Sequence, residues 1–145
     1  MDNILNTEEI KQLIPNRYPI YYVDKIVELK PGEYIKGIKN VTINEDFFQG
    51  HFPGNPVVPN MLIVEMLAQV GSVLILKSEQ FLGRTAYIGG MDKVHFLHDT
   101  KPGDVLELNF SIEKIRGTVG VATAYATVNN EKNVECVFTF IVGNN

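Results

Sequence analysis

The stretch from Met61 to Leu76 constrains this chain more than any other feature. Its apolar residues fall on almost every side of a helical projection, broken by Glu65, Gln69 and Gly71. A helix of that kind is wrapped by the rest of the protein rather than laid on its surface. It is too short for a bilayer, which takes ~20 apolar residues. The spacing predicts a helix from Met61 to about Gln80, ended by Gly83, and the remaining chain must sheathe it.

The material for a sheath is present. Leu106, Leu108, Phe110 and Ile112 alternate with Glu107, Asn109, Ser111 and Glu113, the period of a sheet with one dry face. Arg116-Gly117 and Asn129-Asn130 mark turns into two further strands, Thr118–Val128 and Val134–Val142. An earlier strand is expected over Ala86–Phe96. Before the helix, Tyr21–Leu29 and Tyr34–Val41 read as a hairpin about Lys30-Pro31-Gly32, and Asn44–Phe48 as one irregular helical turn. Asn6-Thr7-Glu8-Glu9 followed by Ile10, Leu13 and Ile14 reads as a short capped helix ending at Pro15. The expectation is an α+β layout in one domain over residues 1–145: a long antiparallel sheet around one apolar helix, with an edge that could pair with a second copy.

Composition narrows the functions. The chain has 145 residues, 45% apolar and 21% charged, with a net charge of −4. Its thirteen basic residues are scattered, which argues against nucleic acid, since phosphate binding needs a concentrated basic face. An acidic protein partner would need a local basic patch. No basic start or apolar leader segment is evident, so a cytoplasmic location is expected. The single cysteine, Cys136, excludes an internal disulfide and a cysteine zinc cluster. It shares strand parity with Val134, Phe138 and Phe140 and is read as a core residue.

Chemistry concentrates between Gly50 and Gln69. His51 sits in a proline-stiffened loop, Gln49–Asn60. A lone loop histidine is usually a surface residue; Glu65 changes that reading. A carboxyl among Leu62, Ile63, Val64, Met66 and Leu67 loses hydration, and its pKa should rise. Gln69 and Ser72 fall on the same helix face as Glu65, and Gln69 could hold its side chain. The free N–H groups at the helix start suit negative charge developing on a thioester oxygen. A neutral imidazole as base and a protonated carboxyl as acid fit loss of a proton α to a carbonyl and of a β-hydroxyl. This chemistry needs no metal, flavin or nicotinamide, and no glycine-rich phosphate loop is present.

Gly50-His51-Phe52-Pro53-Gly54-Asn55-Pro56-Val57-Val58-Pro59, then Leu62-Ile63-Val64-Glu65-Met66-Leu67-Ala68-Gln69, resembles the signature of 3-hydroxyacyl-acyl-carrier-protein dehydratases of FabZ type. Pro15-Asn16-Arg17-Tyr18-Pro19, Lys39-Asn40-Val41-Thr42-Ile43-Asn44 and Lys101-Pro102-Gly103-Asp104 look like further landmarks in the family's order, so the resemblance spans nearly the whole chain. It implies a hotdog fold, acyl carrier protein as partner, no cofactor, and dimers in which His51 of one chain faces Glu65 of the other. It also implies three dimers forming a hexamer. His51 is the implied base and Glu65 the acid. Asn60 is implied to offer its N–H to the thioester carbonyl, and the Val57 carbonyl to orient the His51 ring. Gly54 and Gln69 complete the substrate-binding candidates. Glutamate rather than aspartate at position 65 resembles the branch that dehydrates without isomerising.

Two departures stand out. Val58-Pro59-Asn60 replaces the usual Met-Pro-Gly, so a side chain here could narrow the acyl entrance or cap the helix. His95-Phe96-Leu97-His98-Asp99 occupies a run commonly rich in arginine, which weakens a basic docking surface. The competing readings are a hotdog thioesterase or a specialised dehydratase of a polyketide-like pathway, and a non-catalytic carrier-binding subunit. Met61, Met66 and Phe96 are expected to close the acyl tunnel.

Overall fold

The computed structural model describes residues 4–143. Helix α1 (Thr7–Lys11) opens with a capping box: Asn6 Oδ1 accepts the Glu9 N–H at 2.9 Å, and Glu9 Oε1 accepts the Asn6 N–H at 3.1 Å. It ends four residues short of Pro15. The Arg17 guanidinium then gathers the carbonyls of Lys11, Ile14 and Asn16, donating to each at 2.7–2.9 Å.

Strands β1 (Lys25–Lys30) and β2 (Tyr34–Asn40) follow, then a 3-10 turn at Asp46–Gln49 and helix α2 (Asn60–Leu76). After a second 3-10 turn at Glu79–Phe81 come β3 (Ala86–Phe96), β4 (Val105–Arg116), β5 (Val119–Val128) and β6 (Glu131–Val142). The six strands form one sheet in the order β1-β2-β4-β5-β6-β3, antiparallel throughout. Long strands with β-bulges curl the sheet around α2, which is the expected layout.

Some boundaries move for tertiary reasons. The first strand begins at Lys25 rather than Tyr21, because the Tyr22 N–H is taken by Gln69 Oε1 of α2 at 3.1 Å. Helix α2 stops at Leu76 rather than Gln80. The Lys77 N–H reaches Val73 O, and the Ser78 hydroxyl donates to Ile75 O at 2.8 Å, closing the last turn. The turn expected at Asn44–Phe48 is the 3-10 segment at Asp46–Gln49.

Ile63, Met66, Leu67, Val70, Val73 and Leu74 of α2 are sealed from solvent against Leu106, Leu108, Phe110, Ala122, Ala124, Ala126, Cys136, Phe138 and Phe140 of the sheet. The alanines of β5 leave the width that the larger helix residues fill. Gly71 sets the approach: a Cβ there would fall 2.3 Å from the Phe110 ring. Cys136 lies in this core, its thiol pushed up to about 11 by burial. Ile112 is half-buried, at the bulge where β4 leaves the helix. Among the described residues no helix is long and apolar enough to cross a membrane.

Candidate active site

The segment leading to the loop is pinned at its root. Lys39 Nζ and Glu45 Oε2 form an almost buried ion pair at 2.9 Å, and the same oxygen accepts the Thr42 N–H at 3.2 Å. Beyond the 3-10 turn, Phe52–Asn55 makes a tight turn in which the Asn55 N–H donates to Phe52 O at 3.0 Å. Pro53 precedes Gly54, whose φ of +83° is the left-handed value a type II turn needs at its third position. Gly54 is exposed and shapes this turn.

His51 and Val57 clasp the loop from both ends. The Val57 N–H donates to His51 O at 3.3 Å, and His51 Nδ1 lies 3.0 Å from Val57 O. A carbonyl oxygen can only accept, so the hydrogen belongs to Nδ1 and a neutral ring keeps its lone pair on Nε2. Phe52 stacks on the imidazole, with ring centroids 4.1 Å apart. These contacts give the ring one face and one free nitrogen.

Val58 is tied to Thr100 O at 2.8 Å, which delivers the chain to the start of α2. Pro59 occupies the N-cap, and Asn60 is the first helical residue, so Asn60 does not cap the helix. Leu62 and Ile63 donate to Pro59 O. The N–H groups of Asn60 and Met61 find no acceptor among the described residues, as helix geometry requires of a first turn without a side-chain cap. Asn60 Oδ1 is buried without a hydrogen-bond partner.

Glu65 follows, half-buried between sealed neighbours. Burial raises its pKa above the ordinary carboxylate range, and a hydrogen bond from Gln69 partly offsets this. Gln69 Nε2 donates to Glu65 Oε2 at 3.1 Å and to Ile20 O at 3.2 Å, while its Oε1 holds Tyr22. One carboxamide thus fixes the carboxyl and ties α2 to the chain before β1. Glu65 Oε1 has no hydrogen-bond partner among the described residues.

Glu65 and Gln69 line a cavity of about 250 Å³ together with Asn16, Ser72, Tyr87, Ile88, Phe110, Phe138 and Phe140. Met61, Met66 and Phe96 do not line it: Met66 is sealed in the core, and Met61 and Phe96 lie about half exposed elsewhere. The strand parity of Phe110, Phe138 and Phe140 already pointed inward; their meeting beside Glu65 could not be read from spacing. His51 is not part of this wall either. His51 and Glu65, the expected base and acid, are therefore held by separate parts of one chain. Among the described residues no group of three or more His, Cys, Asp or Glu is placed to hold a metal ion.

A FabA-like domain model matches residues 14–140. The chain is 57% identical over 143 residues to the 3-hydroxyacyl-[acyl-carrier-protein] dehydratase FabZ of Enterococcus faecalis, covering 99% of each. It is 54% identical to the protein of the same name from Pediococcus pentosaceus, covering 97% of this chain and 95% of that one. Among solved structures, a chain of the dehydratase heterocomplex ApeI:P from Xenorhabdus doucetiae superposes with a TM-score of 0.79 at 14% identity, covering 93% of this chain and 91% of that one. A hypothetical thioesterase from Streptococcus pneumoniae, bound to coenzyme A, gives 0.65 at 16% identity, covering 82% and 84%. The structural likenesses show the fold, and the sequence matches show the lineage: this chain belongs to the FabZ dehydratases of the FabA-like family.

Proposed function

We propose that this protein dehydrates (3R)-hydroxyacyl groups carried on acyl carrier protein, giving trans-2-enoyl thioesters in fatty acid synthesis. The observation that carries the reading is Glu65, a carboxyl with a raised pKa, fixed by Gln69 and lining a cavity of about 250 Å³. His51 Nε2 takes the proton from C2. The charge that moves onto the thioester oxygen meets the unpaired N–H groups at the start of α2, Asn60 foremost. Glu65 gives its proton to the C3 hydroxyl, the C3–O bond breaks, and one water leaves as the C2–C3 double bond forms. Val57 keeps the imidazole in the useful tautomer, and Gly54 shapes the loop that carries it.

The pair is completed by a second copy. Strand β3 is an outer strand exposed over most of its length, with Tyr87, Ile88 and Met91 among its solvent-facing residues. Such an edge supports strand pairing between copies, which would bring His51 of one subunit to Glu65 of the other. A hexamer of three such dimers in the cytoplasm completes the reading.

The test is to incubate the purified protein with a 3-hydroxyacyl thioester and follow the conjugated enoyl product. No product would overturn the proposal; thiol release from saturated acyl thioesters would mark a thioesterase instead. Mixing inactive His51→Ala with inactive Glu65→Gln chains should restore part of the activity, because mixed dimers keep one intact pair. No recovery after subunit exchange would remove the shared site.

A further inference from the structure

The cavity beside Glu65 is lined by two unlike groups of residues. One is the aromatic cluster of Phe110, Phe138 and Phe140, with Phe110 centred 5.9 Å from Phe138 and 6.5 Å from Phe140. The other is polar: Glu65, Gln69, Ser72 and Asn16. These polar groups differ in their hydrogen bonds. Gln69 is nearly sealed, and both ends of its amide are engaged by Tyr22, Ile20 and Glu65. The Ser72 hydroxyl and the Asn16 carboxamide are half-buried and have no hydrogen-bond partner among the described residues. Groups in that state retain water.

Ser72 lies two helical turns beyond Glu65, about 10.5 Å along the axis at the α-helical rise. A short acyl chain with its C3 beside Glu65 ends before reaching it. A longer chain that fills the cavity meets Ser72 and Asn16 and displaces their water, and a saturated hydrocarbon offers no hydrogen bond in return. Gln69, already satisfied, imposes no such cost.

We infer that Ser72 and Asn16, facing the Glu65 cavity without partners, form a polar collar that favours short 3-hydroxyacyl chains over long ones. The inference rests on the dehydratase reading above. It concerns residues brought together from the segment before β1 and from the middle of α2, outside the acid–base pair.

The experiment is to measure kcat/KM for 3-hydroxybutanoyl, 3-hydroxyoctanoyl and 3-hydroxyhexadecanoyl thioesters on one carrier. Wild type, Ser72→Ala, Asn16→Leu and the double variant are compared, alongside Kd for the saturated acyl thioesters. Wild type should lose efficiency as the chain lengthens. Ser72→Ala should raise the hexadecanoyl-to-butanoyl ratio by roughly five- to tenfold, the size expected when an unmet hydroxyl is removed. The gain should appear in KM and in Kd rather than in kcat. A flat or rising wild-type series overturns the collar, and so does a variant that changes all lengths alike. If wild type gives no enoyl product at any length, the dehydratase reading fails; the Kd series then decides the collar alone, and equal gains at all lengths reject it.

Discussion

The loop from Gln49 to Asn60 and helix α2 carry the two halves of the proposed acid–base pair, and they hold them by opposite means. Phe52, Pro53, Gly54 and Asn55 are exposed, and His51 owes its position to the two-way clasp with Val57 and to the Phe52 ring. Glu65 is held by Gln69 and owes its raised pKa to dense packing on a helix whose neighbours are sealed. Backbone hydrogen bonds thus orient the imidazole, and exclusion of water tunes the carboxyl. The lesson is that activity and stability should separate in the loop and remain joined in the helix.

The strongest way to break this comparison is at the pair itself. His51→Ala and Glu65→Gln should each cut dehydration by about 10²–10⁴-fold. Thermal unfolding should distinguish them: His51→Ala should stay within roughly 0.5 kcal/mol of wild type, whereas Glu65→Gln should be more stable at neutral pH, because a buried acid has been replaced by a neutral isostere. A large loss of stability in His51→Ala would show that the loop is part of the core after all.

Gly71→Ala probes packing alone. The added carbon meets the Phe110 ring inside a close-packed interface, so a loss of about 1–3 kcal/mol is expected in urea unfolding. An unchanged midpoint would mean that the helix and β4 can move apart freely.

Gln69→Leu joins stability to chemistry. It strips partners from Tyr22, Ile20 and Glu65, at about 1–3 kcal/mol. Activity that needs protonated Glu65 falls as pH rises through its folded pKa. Gln69 holds that pKa down, so the variant's alkaline limb should shift to higher pH; a downward shift would contradict the assignment. Stability carries the same sign. The folded chain keeps the Glu65 proton at pH values where the unfolded chain has lost it. The stabilisation is complete below the ordinary carboxylate pKa and is lost as pH climbs through the folded value. Denaturant midpoints across pH should show this component in wild type and lose it in Glu65→Gln.

The smallest effect belongs to Gly54→Ala. Forcing a side chain to a φ of +83° should cost about 1 kcal/mol, read as a lower melting point with a modest fall in activity. No change in either would mean that the turn relaxes without disturbing His51.

Much of this arrangement was legible because its signals are local. The Asn6–Glu9 box, the alternation through β4, the Asn129-Asn130 turn and the apolar helix each follow from near neighbours. The boundaries that moved depend on distant partners. Nothing near Tyr22 announces that its N–H is spent on Gln69, and Lys77–Gln80 are ordinary helix formers until Ser78 turns back on Ile75. The same holds at the site. Glu65 stood out by its apolar setting and Gln69 by its spacing, whereas the sharing of one cavity by Asn16 and Ser72 and the meeting of three phenylalanines beside Glu65 are products of the fold. Met61 and Phe96 look inward by composition but lie about half exposed, since hydrophobicity alone does not choose a face.

The strand order has a consequence for how the protein is made. β3 leaves the ribosome well before β6, yet β6 is its hydrogen-bonded neighbour in the sheet. Ala86, Tyr87 and Ile88 at its start also help to wall the cavity beside Glu65. A nascent chain can pair β1, β2, β4 and β5 as they emerge, but the cavity stays unfinished until β6, which carries Phe138 and Phe140, is released. Completion of this cavity is thereby a report that synthesis has passed β6.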